Sequence, residues 1–254
     1  MMQKKFSRTQ LLFGKPAMQT LMGARVAVFG VGGVGGYVVE VLARSGVGTI
    51  DIIDNDKVCE TNLNRQIIAT MDTIGRYKVD VAEERIHSIN PDCVVNKYKM
   101  FYLVDNADEL DLSKYDYVVD CIDTVSAKIE LIRRCSKLNV PIICSMGAAY
   151  KLNTTSFKIT DLSKTRMDPL AKAIRKRLRK EGILHAKVVY SEEVPLASIP
   201  YSLGDYDMAD EEIDESAPAS NAFVPAAEGI IVGGEVVKDL INKAGTMRIT
   251  PDKA

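Results

Sequence analysis

The chemistry-bearing residues of this chain gather around one glycine-rich turn. Gly30-x-Gly32-x-x-Gly35, with Gly33 inside it, follows the apolar run Arg25 to Phe29, and Asp54 lies 19 residues beyond Gly35. Glycines let a backbone turn sharply and approach phosphate, whose charge is favoured at a helix N-terminus. A carboxylate at the end of the next strand is placed to accept hydrogen bonds from ribose hydroxyls. The pattern says nucleotide without choosing between NAD and ATP. A P-loop is excluded, because no G-x-x-x-x-G-K-[ST] occurs.

The residues that follow discriminate between the two nucleotides. Asp54 is followed by Asp56, by Asn62-Leu63-Asn64-Arg65-Gln66, by Lys78 and by Asp123. Hydride transfer has no special use for two further cations and a second carboxylate. Adenylyl transfer uses them all: cations neutralise a triphosphate, and a carboxylate holds magnesium against the leaving pyrophosphate. Asp54 and Asp123 both fall at the carboxyl ends of predicted strands, where open parallel sheets bind ligands. Each residue also has a plainer reading. Arg65 and Lys78 could be surface charges, and Asp123 could cap the helix after it.

The elements that must position these groups alternate. Strands are predicted at 25–29, 49–53, 93–98, 117–121 and 140–144, and helices at 37–45, 76–89 and 127–138, the second stopped by Pro91. Such alternation predicts an α/β, Rossmann-like doubly wound and mostly parallel sheet covered on both faces. The C-terminal part differs. A further strand is predicted at 156–159, and Asp168-Pro169 opens a helix over 168–182 whose Leu170, Ile174 and Leu178 share a stripe. From Lys164 to Lys187 nine basic residues face two acidic ones, whereas Val188 to Ser220 carries nine acidic residues and no basic ones. The spacing predicts an acidic mobile loop over 204–220 and a closing helix or two over 222–243. Lys172, Arg175, Lys176, Arg179 and Lys180 read either as a solvated face or as a cationic ridge for a phosphate backbone, the second being the better fit to so local a charge excess.

These motifs resemble the ThiF/MoeB/HesA superfamily of ubiquitin-activating-like adenylating enzymes over Phe6 to about Asn153, in family order and spacing. The resemblance implies a single ThiF-type domain over 1–254, with an ATP-binding core at 1–153 and a C-terminal part at 154–254. It implies that Asp54 takes the ribose, that Arg65 and Lys78 hold phosphates, and that Asp123 serves Mg²⁺. Phe6-Ser7-Arg8-x-Gln10 resembles the family's amino-terminal arginine segment, so that Arg8 would cross a homodimer interface to the γ-phosphate. Within the superfamily, Ala43 to Gly48, Ile89-Asn90-Pro91 and above all Asp161-Leu162-Ser163-Lys164-Thr165-x-x-Asp168-Pro169-Leu170 are similar to the tRNA threonylcarbamoyladenosine dehydratase (TcdA/CsdL) family. That likeness implies ATP and Mg²⁺ as cofactors, adenylation of the threonyl carboxylate, and tRNA bearing the modified adenosine as partner. It leaves a cysteine-desulfurase or other sulfur-transfer partner open. The alternative is an adenylyltransferase for a ubiquitin-like sulfur-carrier protein, against which the basic 164–187 segment and the missing C-x-x-C zinc pairs count. An NAD-dependent oxidoreductase or a non-catalytic nucleotide scaffold fits the polar set less well.

Composition agrees with a soluble enzyme. Of 254 residues, 46% are hydrophobic and 26% charged, enough to bury about 70–75% of the unfolded surface. Lys and Arg number 33 against 34 Asp and Glu, so net charge alone points to no polyanion. The longest stretch without Asp, Glu, Lys or Arg is the 14 residues Val26 to Val39, too short for a membrane span. Five scattered cysteines predict a reduced, cytoplasmic protein with no structural zinc. With only His87 and His185, a histidine-based triad has little room. Cys121 and Cys144 read as packing residues, and Cys59 as a loop thiol without an evident activating base.

Overall fold

β1 (Arg25–Phe29) sits at the centre of a seven-stranded sheet because both of its faces are apolar: Val26 and Val28 enter one core, Ala27 and Phe29 the other. A computed structural model describes residues 4–197, 199 and 218–247 of the chain. The further strands are β2 (Thr49–Ile53), β3 (Val94–Tyr98), β4 (Tyr117–Asp120), β5 (Ile142–Ser145), β6 (Phe157–Asp161) and β7 (Lys187–Ser191). Their order is β3-β2-β1-β4-β5-β7-β6, parallel throughout except for the antiparallel β6–β7 pair. The predicted doubly wound sheet is therefore the observed one. β7, which the hydrophobic pattern did not single out, continues the sheet beyond β5.

Helices cover both faces. α1 (Ser7–Phe13) and α2 (Lys15–Gly23) precede β1, and α3 (Gly35–Ser45), α4 (Lys78–Ile89) and α5 (Val125–Leu138) follow the predicted periodicity. α6 (Pro169–Lys180) and α7 (Val224–Lys243) complete the layers. Val38 and Leu42 of α3, Val79 and Ala82 of α4, and Val232 and Val236 of α7 bury against one face. Leu131 of α5 packs on the other, where Ile129 and Ile132 also meet Ala171, Ile174 and Leu178 of α6. α6 begins as its sequence dictates. Asp168 accepts a hydrogen bond from Ala171 N at 2.8 Å, and Pro169 takes the first helical position. Two expectations are refined: Ala171 rather than Leu170 is the fully buried anchor, and the closing segment forms one continuous helix. Of the acidic loop predicted at 204–220, residues 204–217 lie outside the described residues.

β1 pairs with β2 and with β4, and the strand order reverses between β1 and β4. Phe29 is level with Ile53 on one side and Asp120 on the other, so the turns after all three strands emerge side by side. That reversal is where open α/β sheets leave a crevice.

Candidate nucleotide-binding site

A cleft of about 360 Å³ opens at this reversal. The glycine turn forms its floor. A Cβ on Gly35 would stand 1.8 Å from Gly30 O, and one on Gly30, whose φ is +86°, would stand 2.8 Å from Cys121 O. Only glycine lets the β1 turn fold back on itself and lie against the β4 turn.

The predicted residues converge here. Gly30, Gly32, Gly33, Asp54, Asp56, Asn62, Arg65, Gln66, Lys78 and Asp123 all line the cleft, although they span more than ninety positions in sequence. Gly35 lies beneath the turn and does not line it. Arg8 sits exposed on α1 and is not among the lining residues of its own chain.

Asp54 accepts from Val31 N at 2.7 Å and from Asp56 N at 2.8 Å, which fixes its carboxylate at the rim of β2. Burial pushes its pKa up, opposed by the nearby Lys78 charge and by these two N–H donors. Lys78 is not a surface charge. It is the first residue of α4, its side chain is only 7% exposed, and its Nζ lies 2.8 Å from Asp56 Oδ2. A buried ammonium paired to a carboxylate that is itself 56% exposed can exchange that partner for phosphate oxygens at small desolvation cost. Arg65 Nη1 donates to Thr61 O at 2.9 Å and to Asn64 Oδ1 at 2.8 Å, holding the guanidinium beside the glycine turn. Asn62 supports this corner: its Oδ1 accepts from Cys59 N, and its carbonyl accepts from the amides of Arg65 and Gln66. Gln66 Oε1 is buried without a hydrogen-bond partner among the described residues, in a side chain that lines the cleft. The Tyr102 hydroxyl, also unpartnered among the described residues, has Arg134, Glu130 and Asp108 as its charged neighbours, none of which lines the cleft.

Asp123 does not cap α5. Thr124 occupies the N-cap position, and the Asp123 carboxylate is exposed and, among the described residues, accepts from the Thr124 hydroxyl alone at 3.3 Å. What precedes it is rigid. Asp120 Oδ1 accepts from Ile122 N, while Oδ2 pairs with Lys128 Nζ at 3.0 Å; the same ammonium donates to Ser145 O at 2.8 Å. Both side chains are essentially buried, so this ion pair ties the ends of β4 and β5 to α5. Sequence reading gave neither residue a role. The signal is a strand-terminal aspartate followed eight residues later by a lysine on the apolar stripe of a helix. Also unforeseen are Met100, Phe101 and Tyr102, an apolar and aromatic wall just past β3. Among the described residues, no group of three or more His, Cys, Asp or Glu is placed to hold a metal ion.

The cationic ridge on α6 needs one correction. Lys172, Lys176, Arg179 and Lys180 are exposed, but Arg175 turns inward. Its Nη1 donates to Leu162 O at 3.2 Å, to Thr165 O at 3.1 Å and to the Thr165 hydroxyl. Leu162 O already accepts from the Thr165 amide and hydroxyl, so Arg175 adds a further donor there and ties the 162–165 turn to α6. Arg177, not anticipated for the ridge, is exposed in its place.

Comparison with known proteins follows the same lines. The chain matches the ThiF family over residues 6–246. It is 44% identical over 252 residues to the tRNA threonylcarbamoyladenosine dehydratase of Bacillus subtilis, covering 98% of this chain and 99% of that one. The Escherichia coli protein of the same name is 41% identical over 179 residues, 70% of this chain and 67% of its own. The crystal structure of that E. coli dehydratase in complex with ATP superposes with a TM-score of 0.82 at 34% identity, over 95% of this chain and 96% of that chain.

Proposed function

The chain belongs to the ThiF family, and from that premise we infer the reaction its cleft performs. It is an ATP-dependent enzyme acting on tRNA that carries threonylcarbamoyladenosine. The observation that carries this reading is the convergence of the glycine turn, Asp54, Asn62, Arg65, Gln66, Lys78 and Asp123 on one cleft, in a chain so similar to dehydratases over nearly its whole length.

A threonyl carboxylate oxygen attacks the α-phosphorus of ATP, and pyrophosphate leaves. The carbamoyl group of the same side chain then closes on the acyl carbon. That ring closure sheds a proton and expels AMP, which carries away the former carboxylate oxygen, so one water is lost overall. The attacking carboxylate is already ionised at neutral pH, so adenylation needs no general base. In the second step the nucleophile is intramolecular, with the high effective molarity that implies.

Placement in the cleft supports a role for each residue. Asp54 accepts the ribose hydroxyls, Lys78 exchanges Asp56 for triphosphate oxygens, and Arg65 faces the phosphates at the glycine turn. Asp123 fits a magnesium ion that arrives with the nucleotide, since a single free carboxylate beside phosphate oxygens and water suits that ion, and bound there it would screen the leaving pyrophosphate. Arg8, absent from its own chain's cleft, would complete the site of a partner in a homodimer. Lys172, Lys176, Arg179 and Lys180, joined by Arg177, would meet tRNA phosphates. The C-terminal part acts with the ATP-binding core as one domain, in the cytoplasm.

The test is direct. ATP with Mg²⁺ should raise the melting temperature by mass action while NAD does little. Incubation with ATP, Mg²⁺ and modified tRNA should give a nucleoside lighter by one water. A shift with NAD alone, or an unchanged nucleoside mass, would overturn the reading.

A further inference from the structure

The nucleotide motifs account for only part of the cleft. Apart from the Met100–Tyr102 wall, its lining includes Ala148, Ala149, Pro218, Ser220 and Pro225, none of which belongs to a phosphate or ribose motif. This wall stands at the phosphate end. A Cβ on Gly33 would lie 3.2 Å from Pro225 Cβ and 3.4 Å from Arg65 Cγ, and Asn64 Nδ2 donates to Ser220 O at 3.3 Å. Every side chain on it is short, so this wall leaves the cleft open beside the glycine turn.

The alanine segment is held far more firmly than an ordinary surface loop. Met146 N donates to Val189 O at 2.9 Å and to Glu228 Oε1 at 3.1 Å. Tyr150, at φ +58°, donates its N–H to Ala219 O at 3.0 Å, and its carbonyl accepts from Leu196 N at 2.7 Å. Asn221 Nδ2 donates to Lys151 O at 2.8 Å. Lys151 itself is 3% exposed; its ammonium donates to Gly147 O and stands 3.4 Å from Asp168 Oδ2, the residue that caps α6. A buried lysine and a strained non-glycine residue persist only where surrounding contacts over-determine them, and such outliers gather at ligand clamps.

We propose that Ala148 and Ala149 form the acyl subsite, the wall that seats the threonylcarbamoyl arm beside the α-phosphate, and that the Lys151–Asp168 pair registers this wall to the start of the basic helix. A nucleoside whose tRNA lies along α6 is thereby presented to the phosphate end of the cleft by a chain of buried contacts. This subsite rests on the adenylation reading above and names the residues that select its acyl substrate.

The experiment compares Ala148→Leu, Ala149→Leu and Ala149→Ser with the wild-type chain, measuring ATP affinity, affinity for modified tRNA, and kcat/KM for its dehydration. Both leucine variants should keep ATP affinity within about twofold, as independent sites do. They should lose at least roughly a hundredfold in kcat/KM, the scale of a misplaced reacting group. Ala149→Ser should lose less kcat/KM than Ala149→Leu, since its side chain intrudes less on the wall. Lys151→Met should lower kcat/KM at least about tenfold with ATP affinity retained, and Lys151→Arg should recover part of the loss. Retained ATP affinity certifies the fold of each variant. Leucine variants with wild-type kcat/KM would overturn the subsite, as would a parallel loss of ATP affinity, which would assign the wall to the nucleotide. If the wild-type chain binds ATP yet leaves modified tRNA unchanged, the functional reading itself fails, and the subsite falls with it.

Discussion

Glu228 should make the stability of this protein fall with rising pH, and replacing it by glutamine should remove the dependence. The side chain is fully buried on α7. Its Oε1 accepts from Met146 N, while Oε2 has no partner among the described residues. Burial pushes its pKa from 4.5 up to about 8, against the pull of Lys151 and Lys128 and with a smaller push from Asp168. The folded state therefore keeps a proton that the unfolded chain has released. Its contribution is fully present below about 4.5 and is lost as pH climbs toward about 8. Inside that window each pH unit removes about 1.4 kcal/mol, so the step from about pH 6 to about pH 8 costs roughly 2–3 kcal/mol. For a chain of this size that is a fall in melting temperature of roughly 5–10 °C. Glu228→Gln keeps an acceptor for Met146 N and has no proton to lose. Thermal melts of both proteins from about pH 5 to about pH 9, followed by circular dichroism, provide the difference curve. Asp54 and the paired Glu40 and Glu235 also titrate, but they do so in both proteins and cancel in the difference. A difference in melting temperature that does not change with pH would refute the argument.

Four other perturbations separate roles that one structure superimposes. Lys128→Met strands a buried Asp120 carboxylate and should cost about 3–5 kcal/mol in denaturant unfolding, whereas Lys128→Met combined with Asp120→Asn should cost less than the single change. Neutralising the exposed Lys172, Lys176 and Arg179 together should lower the log–log salt slope of tRNA binding by about 2–3 with ATP affinity unchanged. Arg175→Ala should leave that slope alone and instead cost about 1–2 kcal/mol of stability, because its guanidinium serves the 162–165 carbonyls. Mixing inactive Arg8→Ala and inactive Asp123→Ala chains should restore part of the activity if Arg8 acts across a two-fold axis; mixed dimers with no recovery would place it outside the partner's site.

The local signals proved readable where the chain's neighbours in sequence are also its neighbours in the fold. β1, the glycine turn and α3 form a single strand–turn–helix unit, and its bounds follow from apolar runs and glycines. The Asp168-Pro169 start of α6 is equally local. β7 is different. Lys187 to Ser191 is short, lies between a basic and an acidic stretch, and gains its strand character from β5 and β6, whose residues are some thirty to forty positions away. The same limit applies to the site. Motif spacing identified Asp54, Arg65, Lys78 and Asp123, but Ala148, Ala149 and Pro225 carry no chemical signal and matter only through what they leave open. Arg175 shows the reverse case: its charge suggested an outward face, while its place on α6 turned it toward the carbonyls of Leu162 and Thr165.

A thiol relay is the one chemistry that the cleft's surroundings work against. Cys121 lines the cleft, yet burial pushes its thiol well above the ordinary range, with Lys128 only partly opposing this. Cys144 and Cys135, deeper in the same region, are raised by burial as well. A thiolate is the nucleophilic form, so none of these three is poised to accept an acyl group. On the dehydratase reading no thiol is required, because the adenylated carboxylate is captured by the carbamoyl group already attached to it. What would remain for the protein is placement: on the proposed reading the glycine turn, Arg65 and Lys78 would fix the phosphates, and the wall of small side chains would seat the acyl arm. The buried pairs Asp120–Lys128 and Lys151–Asp168 then read as two halves of one device. The first ties down the segment that carries Asp123, and the second ties Lys151, just past Ala148 and Ala149, to the start of α6; under the proposed subsite the reacting atoms would meet between these two surfaces.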